Sequence, residues 1–433
     1  MKKDRKKILF RVANPALFRT SLIGDLYEIC QCWPAVLLTE KLDKSTERIV
    51  EDKRLFPELK KIIYYQEPFH GNIMAKNYRL HRVVRKLMRE FNPDIVVSAD
   101  DFYPAGLYLA REAKRKGALT VALQSGLKLA DGKSLCLWSC LANSNKNFPG
   151  FLPLALRMAL VKIKKYLGHL FYYWVLPLTV GEVPFRGRSS FVFWKESSGL
   201  RGADYSVVFS KRDYDIYAKD GVNPEKLIIL GHPLAREKAG KIFKKVLSGP
   251  GGEDRKIATV MWPSENLGFQ KSNYSLIPER RVRKTREKLI SLLSKELAGW
   301  KIFIKPHPLI SDAEKLKENL ESKFCQLTVA DPAEPADKYI KMSSLIVGVP
   351  PASTTLFTAA LQCPGKMILS VDLNKEFLGD SFKKFSAIEY VDNEEDLAKL
   401  LRSVEKGKFK KKASSPKEES SITEVLDSLS KKQ

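Results

Sequence analysis

The sequence predicts an α/β protein built from two Rossmann-like domains, each with a parallel sheet. Short apolar runs of strand length alternate with amphipathic helical patterns through both halves of the chain, which is the rhythm of βαβ units. At 433 residues the chain exceeds what one hydrophobic core normally serves. A Gly-rich, turn-forming stretch, SGPGGED, separates the halves. We therefore expect a first domain over 1–247, a linker over 248–255 and a second domain over 256–405.

The first half begins with a basic lead into a short apolar run and then repeats strand and helix. Its best-defined helix covers 73–91, where apolar residues share one face and Arg and Lys the other, and Asn92-Pro93 ends it. Two buried strands follow, each leading into a polar turn. Strands are predicted at 7–12, 35–38, 62–65, 95–97, 119–123, 205–209 and 227–230, and further helices at 103–116, 212–218 and 236–246.

The second half repeats the pattern and ends in a polar tail. Few apolar residues occur over 406–433, so we expect disorder there, with a short helix at about 422–429. Strands are predicted at 257–261, from 301, at 325–329, 345–349, 366–370 and 387–391, and helices at 278–296, 312–322, after 355 and at 394–404.

An apolar, aromatic insertion interrupts the first half over 133–200. Its longest uncharged run, 166–181, falls short of the roughly 20 residues that span a bilayer. The mixture of aromatic, apolar and Lys residues is typical of a helix lying in the membrane interface. The alternative is an insertion that packs on its own domain or on a second subunit.

The net charge of +25 predicts an acidic partner, either anionic lipid, nucleic acid or a charged substrate. Nucleic acid is not expected, because the sequence carries no zinc finger, helix-turn-helix or RNP-type motif. Together with the insertion, the charge favours a cytoplasmic protein held peripherally on the inner, anionic face of the cell membrane.

The six cysteines indicate a reducing compartment. They are too sparse for a disulfide scaffold, form no CxxC pair and have no His at zinc spacing. We expect mostly buried thiols and no metal site.

The candidate site in the second half lies after two apolar runs. Lys305, His307 and Pro308 follow the first run, and Ser353, Thr354 and Thr355 follow the second, at the start of a helical pattern. Loops at the carboxyl ends of parallel strands bind ligands, and a helix N-terminus with hydroxyls suits phosphate. The lysine and histidine would lie near this helix if the two strands are neighbours. The alternatives are a strand-capping histidine and an ordinary N-cap.

The first half supplies candidates for a general base and for the lining of a cleft between the domains. Asp100 and Asp101 follow a buried strand, and they either act as base or cap the next helix. Glu265 follows the first strand of the second half. It either contacts a nucleotide-activated donor substrate or has no role in binding. The remaining cleft-lining candidates stand at strand ends: Asn14, Gln124, Ser125, Gly126 and His232.

Several of these motifs resemble the GT-B glycosyltransferase superfamily. Lys305-Pro306-His307-Pro308 resembles the histidine–proline motif of bacterial sialyltransferases and of CDP-glycerol glycerophosphotransferases. The loop from Ser353, with Cys363-Pro364-Gly365-Lys366 beyond it, resembles the serine-rich donor-phosphate loop shared with UDP-N-acetylglucosamine 2-epimerases. SADD at 98–101 with QSG at 124–126, and Gly231-His232-Pro233, resemble elements of the N-terminal half of those proteins.

The resemblance implies two Rossmann-like domains facing a cleft and a metal-independent glycosyltransferase of surface-polysaccharide or lipid-linked glycan biosynthesis. Its co-substrate would be a CMP-, CDP- or UDP-linked sugar, with no further cofactor, and its acceptor a glycan or a lipid-linked glycan. An epimerase-like enzyme is the first alternative, although Thr358 and Ala359 replace acidic residues of that group, and Gln124-Ser125-Gly126 replaces its histidine–glutamate–alanine–glycine turn. The second alternative is a non-catalytic, basic membrane- or nucleic-acid-associated protein.

Overall fold

The computed structural model contains two α/β units, each with its own parallel sheet. The described residues of the first unit lie within Met1–Cys136, Gly150–Val246 and Pro416–Gln433, and those of the second lie within Leu247–Ser415. The structure describes residues 5–13, 15, 18, 22–68, 72–99, 104–124, 156, 159–160, 163, 167, 171, 175–182, 203–219, 221–233, 236, 239, 242, 256–262, 279–307, 310, 313–334, 336–349, 355–363, 366–373, 388–407 and 420–432.

The first unit is organised around a seven-stranded parallel sheet in the order β3-β2-β1-β4-β5-β6-β7. Its central strands are buried at every position, which explains their continuous apolar runs. The strands are β1 (Ile8–Val12), β2 (Ala35–Thr39), β3 (Leu59–Tyr64), β4 (Ile95–Ser98), β5 (Leu119–Leu123), β6 (Tyr205–Val208) and β7 (Leu227–Ile229).

Helices connect these strands. The apolar face of the long helix Ile73–Phe91 packs with Leu9, Val36 and Tyr108 in one core, as its periodicity predicts. Asn72 caps it by accepting a hydrogen bond from the Ala75 N–H at 3.0 Å. Up to residue 233 the described helices of the unit are α1 (Ile23–Cys32), α2 (Lys44–Glu51), α3 (Ile73–Phe91), α4 (Pro104–Arg115) and α5 (Lys211–Lys219), with short helical turns at Leu176–Leu178 and Pro224–Lys226.

The second unit has a six-stranded parallel sheet in the order β10-β9-β8-β11-β12-β13. Its core lies between the sheet and helices that include α6 and α10. The strands are β8 (Ile257–Trp262), β9 (Lys301–Pro306), β10 (Leu327–Val329), β11 (Leu345–Gly348), β12 (Met367–Val371) and β13 (Glu389–Val391). The helices are α6 (Glu279–Glu296), α7 (Ala313–Glu321), α8 (Ala336–Met342), α9 (Thr355–Gln362) and α10 (Glu394–Glu405).

The last helix, α11 (Ile422–Ser430), belongs to the first unit and packs on α1. Ser421 and Glu424 form a capping box, and Ile422, Leu426 and Leu429 are buried. The short helix expected near the end of the chain is therefore present, and the expectation of disorder is wrong for these residues. The apolar residues of the amphipathic segment ITEVLDSLS pack on α1. The low apolar content of the tail as a whole made this short segment look disordered.

Two sequence expectations need correction. Between β10 and β11 the chain forms α8, where no helix was predicted. Among the described cysteines only Cys30 is buried, since Cys32 and Cys325 are exposed and Cys363 is half-buried, so the expectation of mostly buried thiols is wrong. The linker and nearly all of the insertion lie outside the described residues. No described helix is both long enough and apolar enough to cross a membrane.

Candidate functional site

Each sheet has one point where its strand order reverses. In the first unit, β1 lies between β2 and β4, so the connections after β1 and β4 depart toward opposite sides of the sheet. In the second unit, β8 and β11 have the same relation. Parallel α/β sheets bind ligands outside the carboxyl ends of the strands at such switch points. The loops that begin after Val12, Ala99, Trp262 and Val349 are therefore the topologically favoured positions in this chain.

A buried polar cluster lies beside the switch point of the first unit. Arg11 on β1 is fully buried, and its Nη2 donates to Glu67 Oε1 at 2.6 Å. Its Nε donates to Tyr65 Oη at 3.1 Å, and its Nη1 donates to Ser98 Oγ at 3.2 Å. Tyr65 also donates to Glu67 Oε1 at 3.2 Å. A guanidinium held on this many sides has one orientation, so it fixes the ends of β1 and β4 and the chain after β3.

The same cluster holds both ends of the segment that contains the proposed general base. Ser98, at the end of β4, accepts from Arg11, and the Ala105 N–H in the first turn of α4 donates to Glu67 Oε2 at 3.4 Å. Asp100 and Asp101 themselves lie outside the described residues, as does Asn14 after β1. Their role stays a prediction.

Sequence reasoning missed Arg11 and Glu67. The available signal was a charged residue inside the apolar strand ILFRV, since a buried arginine requires an anionic partner. No local pattern identifies Glu67 as that partner, because it is 56 positions away.

Gln124 and His232 have structural roles in the first unit. Gln124 is buried at the end of β5, where its Oε1 accepts from the Phe209 N–H at 2.9 Å, linking the ends of β5 and β6. His232 is buried beyond β7, with its ring 4.5 Å from that of Phe209. Because β7 is an edge strand three places from β4, the structure does not bring His232 to the switch point. Ser125 and Gly126 lie outside the described residues.

The surroundings of His232 are charged. Burial, and then the nearby Arg236, lower the pKa of His232 to about 3, so the ring is neutral at neutral pH. Arg236 is buried and donates from Nη1 to Glu28 Oε2 at 3.2 Å and from Nη2 to Asp25. Glu28 also accepts from the Ile422 N–H at 2.8 Å, which ties α11 to this network.

In the second unit, Lys305 and His307 lie at the carboxyl end of β9. The His307 N–H donates to the Trp262 carbonyl at 2.9 Å, which fixes the turn against the end of β8. Lys305 is buried, and its Nζ donates to the carbonyls of Pro306 at 2.7 Å and Pro332 at 3.0 Å. Two of its three N–H groups therefore hold the loops after β9 and β10. Pro308 lies outside the described residues.

Charged groups of both signs lie near this edge. Burial lowers the pKa of Lys305, while Asp331 and Glu334 act in the opposite direction. Burial, and then the charge of Lys305, lower the pKa of His307. A second cation, Arg286 on α6, lies 5.2 Å from the centre of the Trp262 ring, where β8 ends. Partly desolvated cations of this kind attract phosphate more strongly than exposed ones.

The helix predicted to bind phosphate is α9, which starts at Thr355. A Cβ on Gly348 would lie 2.4 Å from Leu356 Cδ1, so glycine at the end of β11 lets the first turn of α9 approach the strand closely. The helix N-terminus therefore lies at the carboxyl edge of the sheet, where the N–H groups of its first turn and its positive dipole end favour anions. Ser353, Thr354 and Glu265 lie outside the described residues.

The loops after β9 and β11 do not follow neighbouring strands. The sequence analysis required neighbouring strands for Lys305 and His307 to lie directly beside the helix that follows β11. β8 separates β9 from β11, which puts the strand axes about 10 Å apart. The His307 turn and α9 therefore flank the end of β8, from which the segment containing Glu265 departs. Lys366 lies at the other end of the sheet, before β12, and its Nζ donates to the Ile340 carbonyl at 2.9 Å and to that of Lys341. It therefore caps α8 rather than extending the phosphate loop.

Among the described residues the group most like a metal site is His81, Glu112 and Glu182, whose candidate ligand atoms lie within 4.8 Å of one another. Arg115 already occupies this position, donating to Glu112 Oε1 at 2.5 Å and to Glu182 Oε2 at 2.8 Å. Burial alone would raise the pKa of Glu182, but hydrogen bonds from Arg115, His81 and Arg111 lower it to about 2. The group is therefore a charge-neutralised anchor and does not fit a metal ion.

No protein-family model and no curated protein matches this chain. Solved structures do match it over nearly its whole length. A UDP-GlcNAc 2-epimerase from Methanocaldococcus jannaschii aligns with a TM-score of 0.55 and 12% identity, covering 98% of this chain and 99% of that one. The enzyme from Neisseria meningitidis, bound to UDP-GlcNAc, aligns with a TM-score of 0.53 and 11% identity, covering 99% and 100%.

Anabaena HepE, in complex with UDP-glucose, aligns with a TM-score of 0.51 and 11% identity, covering 99% of this chain and 100% of that one. The fold is of the GT-B type. The two Rossmann-like parallel sheets predicted from the sequence are thereby confirmed. At 11–12% identity the likeness extends to the fold and not to the substrate.

Proposed function

We propose that this protein is a glycosyltransferase that uses a nucleotide-activated sugar and transfers it to a glycan or lipid-linked acceptor. The observation that carries the proposal is the switch point of the second unit. There the His307 turn and the N-terminus of α9 flank the end of β8. Helix N–H groups, an imidazole and nearby cations are the groups that stabilise a leaving phosphate when no metal does so.

In the proposed reaction, the acceptor hydroxyl attacks the anomeric carbon of the donor while the bond to the nucleotide phosphate breaks. The α9 N-terminus, His307 and the Ser353–Thr355 loop bind the developing phosphate charge. Because Lys305 already holds two carbonyls, its proposed contribution is a positive field and at most one hydrogen bond. Asp100 or Asp101, in the segment held by Arg11 and Glu67, takes the proton from the acceptor hydroxyl.

The second candidate function is a sugar-nucleotide 2-epimerase, favoured by the full-length alignments with two enzymes of that kind. One residue argues against it. Gln124 stands in the turn where such enzymes carry a glutamate, and a carboxamide cannot exchange a proton as a carboxylate does. Its side-chain oxygen also accepts from the Phe209 N–H, so it acts as a link between strands.

A product assay separates the two candidates. The purified chain is incubated with CMP-, CDP- and UDP-linked sugars, with and without oligosaccharide and polyprenyl-linked acceptors, and both nucleotide release and the sugar configuration are followed. A transferase releases nucleotide only when an acceptor is present. The double variant Asp100→Asn, Asp101→Asn should lower that rate by about 10²- to 10⁴-fold. Conversion of UDP-GlcNAc to its C2 epimer without an acceptor would overturn the proposal in favour of the epimerase.

A further inference from the structure

Most of the large exposed apolar side chains of the first unit fall in two stretches of its sequence. Among the described residues, all of them except Tyr64 and Ile229 lie in the first turns of α3 or between 156 and 178. We define the apolar patch as four of these side chains, which are 44–59% exposed: Met74, Tyr78, Val175 and Leu178.

The two elements that carry the patch are fixed to each other. Asn77 on α3 donates from Nδ2 to the Leu176 carbonyl at 2.9 Å and to Thr179 Oγ1 at 3.2 Å. Glu182 accepts from both Arg111 and Arg115 on α4, at 3.2 and 2.8 Å. Buried, charge-assisted contacts of this kind give one geometry. These hydrogen bonds therefore fix the backbone positions from which the apolar side chains reach solvent.

Arginines of α3 lie beside the patch. Arg79 has no ion pair among the described residues, and Arg82 lies 5.8 Å from the centre of the Tyr78 ring. Met74, Tyr78 and Arg82 recur at intervals of four, so they line one stripe of the helix. The patch thus presents apolar tips with a basic flank and an aromatic ring between them.

The exposed apolar character continues earlier in the same insertion. Leu156, Ile163 and Leu167 are helical in backbone conformation and exposed, and they recur at spacings of seven and four. Such spacing puts apolar side chains on one face of a helix.

We propose that the apolar patch docks on an anionic lipid surface. The inference is independent of the donor site. Lipid is favoured over a second copy of this chain, because a copy with a net charge of +25 and the same basic flank would be repelled. Met, Leu and Val side chains enter the acyl boundary, Tyr lies at the headgroup level, and Arg and Lys reach lipid phosphates.

The test is flotation of the full-length protein with vesicles of phosphatidylcholine, with or without phosphatidylglycerol. The wild type should float with the anionic vesicles and much less with the neutral ones. Two patch variants are compared: the double variant Arg79→Glu, Arg82→Glu and the triple variant Met74→Ser, Tyr78→Ser, Leu178→Ser. Each should reduce binding to the anionic vesicles at least about tenfold. The matched control is Lys226→Glu, Ile229→Ser, which removes an exposed cation just before β7 and an exposed apolar side chain at the end of β7, and which should bind as the wild type does.

Thermal unfolding of every variant identifies any that fail to fold. The flotation of the folded variants then decides whether the patch binds lipid. Wild-type binding by both patch variants would overturn the proposal. So would a wild type that dimerises in lipid-free buffer while the patch variants are monomers, because the occupant would then be a second copy. Nucleotide binding is measured on the same patch variants. It should be unchanged, because the proposed donor site lies in the other unit, so a failure of lipid docking can be distinguished from a failure of the proposed function.

Discussion

Arg11 is the residue on which the local order of the first switch point depends. It is fully buried in an otherwise apolar strand, and its charge is balanced by Glu67 at 2.6 Å. Pairs of this kind contribute little net stability against an apolar replacement, but the loss of one partner leaves a buried charge uncompensated. Their value here is orientation, because the same two side chains hold the chain on both sides of Asp100 and Asp101.

Replacing Glu67 with Gln should lower the free energy of unfolding by about 3 kcal/mol, because Arg11 stays buried while its counter-charge disappears. Urea denaturation measures the loss. The matched control is Glu90→Gln on the exposed face of α3, where Glu90 lies 3.7 Å from Lys86 and its side chain is 64% exposed. That change should cost less than about 0.5 kcal/mol. Equal losses in the two variants would contradict the account of the cluster.

His232 should make the protein sensitive to mild acid. The unfolded chain binds a proton on this ring below about pH 6.5, whereas in the folded protein the pKa of His232 is about 3. Its contribution to stability is therefore complete above pH 6.5 and is lost as the pH falls toward 3. Near pH 5 the loss amounts to about 2 kcal/mol.

The variant His232→Gln should flatten this dependence, because glutamine does not titrate. Urea denaturation of both proteins between neutral pH and pH 5 measures the difference. If the stability of wild type and variant changed in parallel over that range, His232 would not be the group that binds the proton.

At the scale of elements, the contact between β11 and α9 positions the proposed phosphate-binding helix. Gly348→Ala should destabilise the protein by about 1–3 kcal/mol, because the new methyl group would lie 2.4 Å from Leu356 Cδ1. Leu356 is fully buried and has little room to move. The double variant Gly348→Ala, Leu356→Ala should be more stable than the sum of the two single changes predicts, since the cavity left by leucine admits the methyl group. Strict additivity in urea denaturation would contradict this close approach.

Elements with strong periodicity were predictable from the sequence. The bounds of α3 agree with the predicted helix at both ends, and β5 agrees in the same way. The short helix α8 was missed because its seven residues, ADKYIKM, offer too few turns for an apolar stripe to be distinguished from a loop. β3 begins three residues earlier than expected, because its first positions include Lys60 and Lys61.

The candidate site was less predictable than the fold. Strand-end reasoning located Lys305, His307 and Thr355 at the carboxyl edge of the second sheet, but it could not give the strand order that puts β8 between them. It also selected Gln124 and His232, which are polar residues at strand ends with structural partners. A local pattern shows that a strand has ended, whereas the topology determines which strand ends are adjacent.

At the scale of the whole molecule, the two sheets repeat one topological plan. Each has its first strand flanked by its second and fourth, and each has a polar segment after those strands. After the second unit, α11 returns to the first unit, where Lys6 lies 2.7 Å from Asp427 and Glu28 accepts from the Ile422 N–H at 2.8 Å. The first unit therefore contains residues from both sides of the second unit.

The switch point of the second unit is the proposed binding site for the nucleotide of an activated sugar. The most direct measurement is a thermal-shift screen of the full-length protein against CMP, CDP, UDP and GDP. We expect one nucleotide to raise the unfolding midpoint, and His307→Ala to abolish the shift while a surface control, Lys317→Ala on α7, retains it. Absence of a shift with every nucleotide, or a full shift in His307→Ala, would contradict the account.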